Sequence, residues 1–371
     1  MVQQTFLLCA GGTGGHLFPA EALAHELIAR GHLVHLATDD RAERFAGSFP
    51  ATAIHVIPSA TIASRNPVAL MRSARQLLAG YLKARKLVDA TGPAAAIGFG
   101  GYPTLPPMIA ARHKGVPTLI HDANAVMGRA NRLLAKRAKL VAMGFAGVSS
   151  DEQMIVTGNP VRPPVLDAAR IAYPVRQADE PFNLLVFGGS QGAHFFSQIL
   201  PQALALMTPP EKAILQVTCQ ARQEDIDRLS GLLSTYGIKA ETAPFFSDIP
   251  RRIANSHLVV SRGGASTVSE LAVIGRPAVL VPFPHALDHD QALNGRAMVE
   301  AGGARIIIQS DLSPGKLAGI IKSALKDPRG LALQAENAKK TGIPDAASRL
   351  ADCVEQVASG KIAAELKELH S

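Results

Sequence analysis

Short apolar runs of strand length alternate along this chain with longer stretches in which apolar residues recur every three or four positions. The short runs predict buried strands, and the longer stretches predict helices with one apolar face. Repeated alternation of strand and helix is typical of parallel βαβ units, whose helices cover the faces of the sheet. We therefore predict an α/β protein with doubly wound parallel sheets.

The two halves of the chain contain the same succession of predicted elements. TFLLCAGGTGGH (5–16) has a counterpart in FNLLVFGGSQGAH (182–194), and each predicts a strand, a glycine turn and a helix start. A second pair of matching segments, 94–124 and 257–285, has the same order of elements. The chain thus predicts two similar Rossmann-like domains that face each other across a cleft, with ligands at the carboxyl ends of the strands.

The boundary between the two predicted domains lies in VTGNPVRPPVLD (156–167), which contains three prolines and a Gly-Asn pair. We predict a first domain over 1–160 and a second over 165–344. The remaining tail, about 345–371, has helical periodicity and no strand to pair with, so we expect it to pack back on the first domain.

Charge and composition narrow the class of protein. Of the 371 residues 47% are hydrophobic and none is Trp, which allows two cores but disfavours a sugar-binding module built on stacked aromatics. The net charge is +8, and residues 1–160 carry 16 Lys and Arg against nine Asp and Glu. A basic first half indicates an anionic partner, either nucleic acid or phospholipid.

Three well-separated cysteines, Cys9, Cys219 and Cys353, lack metal-ligand spacing and read as small buried hydrophobes of a reducing compartment. The N-terminal apolar run FLLCA is short, follows no basic region, and does not resemble a signal peptide. With no apolar run of about 20 residues to cross a bilayer, we expect a protein of the cytosol or of a membrane surface.

The glycine turns are suited to anions, because their backbone N–H groups can approach a phosphate at a helix start. Neither GGTGGH (11–16) nor GGSQGA (188–193) matches GxGxxG, and the chain has no Walker motif. Asp39 and Asp40 are poorly placed for the ribose of NAD. Any single glycine pair can be an ordinary tight turn, but four in matching places predict a ligand that carries a pyrophosphate.

Five segments of the chain are distinctive enough to indicate a family: GGTGGH, GFGGY, GNPVR, GGSQGA and the long run GGASTVSELAVIGRPAVLVPFPHALDHDQALNG. In order and spacing, from about residue 5 to about residue 355, they resemble the MurG family of peptidoglycan N-acetylglucosaminyltransferases. That resemblance implies a GT-B fold without a cofactor. It also implies GlcNAc transfer from UDP-GlcNAc to undecaprenyl-pyrophosphoryl-MurNAc-pentapeptide (lipid I), forming lipid II with inversion at the anomeric carbon.

The resemblance also implies the donor site. Its residues here are Thr13, Gly14, Gly15, Asn124, Arg162, Ser190, Gln191, Phe246, Ser266, Thr267, Glu270, Gln291 and Asn294. A carboxylate at Glu270 can accept hydrogen bonds from both ribose hydroxyls. Ser190 and the amides of its turn can hold the diphosphate, and the Arg162 guanidinium can bind the ligand or bridge the domains. A solvated helix face for Glu270 and a surface position for Arg162 are the alternatives.

The chain departs from the family pattern in places. Where the family has HEQN, this chain has HDAN (121–124), so the role of the longer acid is in doubt at Asp122. Ser266 and Phe246 also replace residues of other size. We expect recognition of uracil to rest more on backbone atoms than on these side chains.

His16 ends the first glycine turn, and a neutral imidazole suits the removal of a proton from an attacking hydroxyl. We predict that it is the general base for the MurNAc 4-hydroxyl; the alternative is a histidine that only holds the loop. Asp122 is the reserve base or an orienting group. The triplet DHD (288–290) resembles a metal-binding signature, but chance is the better interpretation, and we predict no metal.

Segment 62–90 mixes six Lys and Arg with apolar residues and predicts a basic helix that touches anionic lipid, or an ordinary helix docked on its own sheet. The expected partners are UDP-GlcNAc, lipid I and anionic inner-membrane lipids, at the cytoplasmic side of the membrane, without nucleic acid. Two alternatives stay open, another GT-B enzyme that makes a glycolipid and, from a different class, a non-catalytic basic binding protein. The segment lacks the aromatics that stack on bases.

Overall fold

The computed structural model describes residues 2–11, 14–40, 49–60, 66–146, 154–177, 180–284 and 290–360, without the side chains of residues 67, 189–193 and 290. It divides into two compact units. The first comprises Met1–Arg162 with Pro344–Ser371, and the second comprises Pro163–Ile343.

The first unit is an open parallel sheet flanked by helices. Its strands are β1 (Thr5–Cys9), β2 (Leu33–Thr38), β3 (Ala53–Val56), β4 (Ala95–Gly98), β5 (Thr118–Asp122), β6 (Leu140–Met143) and β7 (Met154–Val156). Its helices are α1 (Gly14–Ala29), α2 (Pro67–Thr91), α3 (Leu105–His113), α4 (Arg129–Ala135) and, from the end of the chain, α15 (Ala346–Ala358). Within the described residues the strand order is β3-β2-β1-β4-β5-β6-β7.

Strand β1 shows why helices cover both faces of this sheet. Its residues alternate in direction, so Phe6 and Leu8 enter one hydrophobic cluster while Leu7 and Cys9 enter another. All four are fully buried. After Thr5, every residue of this strand is apolar and buried, which is typical of a strand covered by helices on both faces of its sheet.

Helix α15, although it follows the second unit in the sequence, packs on the first unit. Its apolar face, including Leu350 and Val354, joins the same cluster as Leu8 and Leu23. Arg30, just beyond α1, bonds the polar side of α15 through Asp352 at 2.6 Å, Glu355 at 3.0 Å and the Ser348 hydroxyl at 2.8 Å.

We expect Arg30→Ala to lower the free energy of unfolding by about 1.5–3 kcal/mol, the range for hydrogen bonds to charged groups. The side chain is only 16% exposed, so water cannot fully replace its partners. Urea unfolding followed by circular dichroism measures the change. Arg296→Ala is the control, because its pair with Glu300 is fully exposed to solvent and should change the unfolding free energy much less. Equal losses in the two variants would contradict this role for Arg30.

The second unit repeats the plan. Its strands are β8 (Phe182–Phe187), β9 (Leu215–Gln220), β10 (Lys239–Ala243), β11 (Leu258–Ser261), β12 (Ala278–Leu280) and β13 (Ala304–Ile306). Its helices are α5 (Pro163–Ala168), α6 (Gly189–Ala205), α7 (Pro209–Ala213), α8 (Ile226–Thr235), α9 (Ile249–Ala254), α10 (Ala265–Ile274), α11 (Asp290–Asn294), α12 (Arg296–Glu300), α13 (Pro314–Lys326) and α14 (Pro328–Lys340). The described strands pair in parallel in the order β10-β9-β8-β11-β12-β13.

Both sheets contain a point at which the strand order reverses. In the first unit it lies between β1 and β4, and in the second between β8 and β11. Ligands of doubly wound proteins bind at the carboxyl ends of the strands at such a point. The predicted α/β class with two doubly wound parallel sheets is therefore confirmed. A ligand is expected to bind at the turns that follow these four strands.

Candidate functional site

In the first unit, His16 lies in the first turn of α1, directly after β1. Its ring packs against the turn that follows β4, where Gly100 and Gly101 have φ values of 101° and 81°. A β-carbon on Gly100 would lie 3.1 Å from the His16 Nδ1 atom. The positive φ and this close approach both require glycine, so the GFGGY segment shapes the space that holds the imidazole.

The environment of His16 favours its neutral form. Burial lowers the pKa of His16 below its ordinary value, while the charge of Asp122 and the carbonyl of Phe99 act in the opposite direction and are weaker. An imidazole that donates one N–H to a carbonyl presents the lone pair of its other nitrogen. A neutral His16 can therefore accept a proton.

Asp122, at the end of β5, holds the loop that follows it. One carboxylate oxygen accepts the Asn124 backbone N–H at 3.0 Å, and the other accepts those of Gly128 at 2.9 Å and the Asn131 side chain at 2.9 Å. The carboxylate is buried. Three donors on two oxygens make Asp122 the organiser of this loop and a fixed negative charge that acts on His16.

Two side chains that the sequence did not single out complete this edge. Asn131 also donates to the His121 carbonyl at 3.1 Å, so it ties α4 to β5. His121 is fully buried, and burial first, with the nearby His16 adding to it, lowers its pKa to about 4. Its position beside Asp122 in HDAN was a signal that could have marked it.

Arg162 packs on α1 at the end of the first unit. Its guanidinium carbon lies 3.8 Å from the centre of the Phe18 ring, a distance typical of a cation–π contact. Gly14 lies against the same ring, since a β-carbon there would be 3.0 Å from it. Gly15 is exposed in the same first turn of α1. Thr13 lies outside the described residues.

The second unit presents two helix starts at the corresponding edge. Helix α6 begins after β8, and α10 begins after β11 and the pair Gly263–Gly264. Ser190 and Gln191 occupy the first turn of α6, with side chains outside the described part of the chain. Unpaired N–H groups at such helix starts attract anions.

Three predicted donor residues share one side of α10. Ser266 and Thr267 lie in its first turn, four and three positions before Glu270, which is the spacing that places side chains on one helix face. Glu270 is 8% exposed. The spacing brings a carboxylate and two hydroxyls together beside the helix start.

Gln291 and Asn294 of the short helix α11 each support a neighbouring connection. The Asn294 side-chain amide donates to the Gly263 carbonyl, before α10, at 3.1 Å. The side-chain oxygen of Gln291 accepts the backbone N–H of Phe283, after β12, at 2.9 Å. Of the DHD triplet, residues 288 and 289 and the side chain of 290 lie outside the described residues.

Phe246 lies after β10 and is buried beneath Arg252, whose guanidinium carbon is 4.1 Å from the ring centre.

Arg262, which ends the β11 segment, is a site-forming residue that sequence reasoning missed. Its guanidinium donates to the Val281 carbonyl at 3.2 Å and to the Gln309 side chain at 2.8 Å. Burial lowers its pKa to about 10, so it remains charged at neutral pH. It holds the turn of Gly263 against the connections after β12 and β13. In the sequence, its position directly before two glycines is the only signal that could have marked it as a site residue.

Comparisons with known proteins agree with this geometry. Residues 6–143 match the glycosyltransferase family 28 N-terminal domain, and residues 183–350 match the family 28 C-terminal domain. The chain belongs to glycosyltransferase family 28. The predicted GT-B fold is therefore confirmed, as is the prediction that the chain is a glycosyltransferase.

Individual relatives are similar over nearly the full length. The chain is 56% identical over 369 residues to the UDP-N-acetylglucosamine–N-acetylmuramyl-(pentapeptide) pyrophosphoryl-undecaprenol N-acetylglucosamine transferase of Brucella canis, covering 99% of this chain and 97% of that one. The transferase of the same name from Rhizobium leguminosarum bv. trifolii is 54% identical, with 97% of each chain covered. The crystal structure of Acinetobacter baumannii MurG superposes with a TM-score of 0.77 at 28% identity, over 95% of this chain and 99% of that one.

Among the described residues, none of the helices combines the length and apolar character needed to cross a membrane. Nor do three or more His, Cys, Asp or Glu side chains among these residues come together in a way that could hold a metal ion.

Proposed function

We propose that this glycosyltransferase moves GlcNAc from UDP-GlcNAc to the 4-hydroxyl of MurNAc in lipid I and so forms lipid II for peptidoglycan synthesis. The names of its relatives support the substrates, and membership of family 28 supports the reaction class. The observation that carries the chemistry is His16, which burial keeps neutral at the carboxyl edge of the first sheet.

The proposed step is a single displacement. His16 takes the proton of the acceptor hydroxyl while that oxygen attacks the anomeric carbon of GlcNAc. The bond from this carbon to the diphosphate oxygen breaks on the opposite face, so the α-linked donor gives a β-1,4-linked product. UDP leaves with the bonding electron pair, and the proton remains on the imidazole until solvent removes it.

We assign Asp122 to orienting and charge stabilisation rather than to the base itself. Its two oxygens already accept three N–H donors, and accepting a substrate proton would remove the negative charge that strengthens these bonds. Its negative charge instead stabilises the imidazolium that forms on His16 during the step.

We place most of the donor contacts on the second unit. The start of α6 and the start of α10 supply N–H groups for the diphosphate, whose negative charge grows as the bond breaks. Glu270 takes the ribose hydroxyls, while Arg262, Gln291 and Asn294 hold the turns in shape. We also keep the donor contacts that the family resemblance implies at the remaining positions, which are Thr13, Gly14, Gly15, Asn124, Arg162, Ser190, Gln191, Phe246, Ser266 and Thr267.

The test is GlcNAc transfer from radiolabelled UDP-GlcNAc to a short-chain lipid I analogue. We expect a disaccharide product with a β linkage, established by its NMR coupling constant. Parallel reactions offer diacylglycerol or RNA. Transfer to diacylglycerol in place of lipid I would make the chain a different glycolipid enzyme, and RNA binding without transfer would make it a binding protein.

Helix α2 is the surface that we propose for contact with the inner membrane at its cytoplasmic side. Val68, Met71, Leu78 and Leu82 recur at helical spacing and are at least 50% exposed. Exposed basic side chains lie beside them: Arg72, Arg75, Lys83, Arg85 and Lys86. The opposite side of α2, with Ala84 and Val88, packs on the sheet. The helix is therefore docked on its own domain and presents a mixed basic and apolar face on its exposed side.

We expect the protein to sediment with vesicles that contain anionic phosphatidylglycerol and to detach as salt rises, since each basic residue near such a surface contributes about 1 kcal/mol. Met71→Glu with Leu78→Glu should reduce binding about tenfold or more by removing apolar contact. Leu333→Glu, an exposed leucine of α14, is the control. Binding indifferent to lipid charge and to salt would exclude this role for α2.

A further inference from the structure

A polar cluster that the reaction has not used joins α6 to the start of α8. The Asp225 carboxylate accepts the His194 Nδ1–H at 2.7 Å and the Ser197 hydroxyl at 2.8 Å, both on the same carboxylate oxygen. Arg228 donates to the Ser197 carbonyl at 3.1 Å and lies 3.5 Å from the other oxygen of Asp225. We call these four residues the α6 clasp.

The clasp is anchored at its buried end. The Asp225 side chain is 8% exposed, whereas that of His194 is 46% exposed. Burial raises the pKa of Asp225, but the hydrogen bonds from His194 and Ser197 outweigh it, so the pKa lies below its ordinary value. The carboxylate is thus a fixed negative charge that holds side chains from the neighbouring helix.

The second nitrogen of His194 is also occupied. Its Nε2 lies 2.8 Å from the side-chain nitrogen of Gln198, which donates to it. The ring therefore donates from Nδ1 and accepts at Nε2, and both bonds lie within the protein. This arrangement suits a residue that positions its helix rather than one that touches substrate.

The clasp acts on the helix that we propose holds the diphosphate. His194 lies in the second turn of α6, which starts at the carboxyl end of β8. Asp225 closes the 3-10 turn Gln223–Asp225 that follows β9, the strand beside β8. A bond between them fixes the first two turns of α6 against the next connection at the same edge of the sheet.

We propose that His194 and Asp225 are positioning residues that hold the glycine turn 188–192 in the geometry that binds the diphosphate of the donor. This inference rests on the proposed function. The helix is the physical link, since a bonded second turn limits how the first turn can tilt or shift. A displacement of about 1 Å at the turn would lengthen every N–H···O bond to the ligand.

The experiment measures UDP binding by titration calorimetry and the kinetic constants for UDP-GlcNAc. Asn places its Nδ2 donor close to the position of the imidazole Nδ1, so His194→Asn keeps the bond to Asp225 that His194→Ala removes. We expect His194→Ala to raise the Kd for UDP and the KM about tenfold with kcat changed less than about twofold, and His194→Asn to stay within about threefold of the wild type.

Glu224→Gln is the matched control, because it removes a negative charge one residue from Asp225. Its exposed carboxylate lies 3.8 Å from Arg222 and takes no part in the clasp. It should bind UDP like the wild type. Thermal melts establish that each variant is folded; where His194→Ala is not, Asp225→Ala, which removes the oxygen that accepts from His194 and Ser197, takes its place and should weaken UDP binding equally.

The outcomes separate the two levels of the proposal. A wild type that binds UDP and a His194→Ala variant that binds it equally well contradict the clasp alone. Equal losses in His194→Ala and His194→Asn also contradict it, because the bond to Asp225 would then not matter. A wild type that does not bind UDP contradicts the proposed function, and this inference falls with it.

Discussion

Replacing His16 with alanine should lower kcat by about 100- to 10,000-fold, the usual contribution of a positioned general base, with little change in KM for UDP-GlcNAc. The ring is held between the start of α1 and the turn of Gly100 and Gly101, and the alanine variant leaves that acceptor position without a base. Steady-state transfer to the lipid I analogue measures the loss. Added imidazole should restore part of the rate, because a small base can enter the space that the side chain vacates.

His25→Ala is the control for this variant. His25 is an exposed histidine of the same helix and should keep normal turnover. Near-normal turnover of His16→Ala at saturating substrates would remove His16 from the mechanism.

The pH dependence of the transfer rate tests the role of His16 independently, because the direction in which its acidic limb should move can be predicted. The base acts in its neutral form, and burial lowers the pKa of His16 below the ordinary value of about 6.5. The rate should therefore hold as pH falls toward about 6.5 and decline only at lower pH. Asp122→Asn removes a charge that raises this pKa, so its acidic limb should move to still lower pH. A limb that moves upward would contradict the proposed pairing.

Replacing Glu270 with glutamine should lower kcat/KM for UDP-GlcNAc about 100-fold or more, since hydrogen bonds to a charged group are worth about 1.5–3 kcal/mol each. The side chain is buried on the face of α10 that also carries Ser266 and Thr267. The sharper readout is selectivity. Wild type should bind UDP more tightly than 2′-deoxy-UDP, and the variant should lose most of that preference.

Glu336→Gln, an exposed glutamate of α14, controls for the loss of one negative charge in the second unit. It should leave both affinities unchanged. If Glu270→Gln keeps the full preference for UDP over its 2′-deoxy form, Glu270 does not read the ribose.

Much of the fold was predictable because its signals are local. Runs such as FLLCA and FNLLVF are apolar at nearly every position, which indicates strands buried on both faces. The glycine turns mark where such strands give way to helices. His16 could be singled out for the same reason, since a histidine in the first turn after a buried strand must lie at the carboxyl edge of a parallel sheet.

The supporting residues could not be predicted in the same way. Arg262 bonds carbonyl and side-chain groups up to 47 positions away, and Arg30 bonds Asp352 across 322 positions. No local pattern distinguishes such an arginine from one on the surface. The roles of Asp122 likewise depend on which donors surround its oxygens, which is a property of the folded loop.

By itself, the sequence of this protein determined the succession of strands and helices, the twofold repetition of the pattern and the glycine turns, because hydrophobic periodicity and backbone freedom act within a few residues. Only the tertiary structure decided which polar groups meet: the carboxylate of Asp122 with three N–H donors, the ring of His16 with Gly100, and His194 with Asp225. Burial and hydrogen bonding between distant segments set the charge state and position of a side chain, and neither exists until the chain has folded.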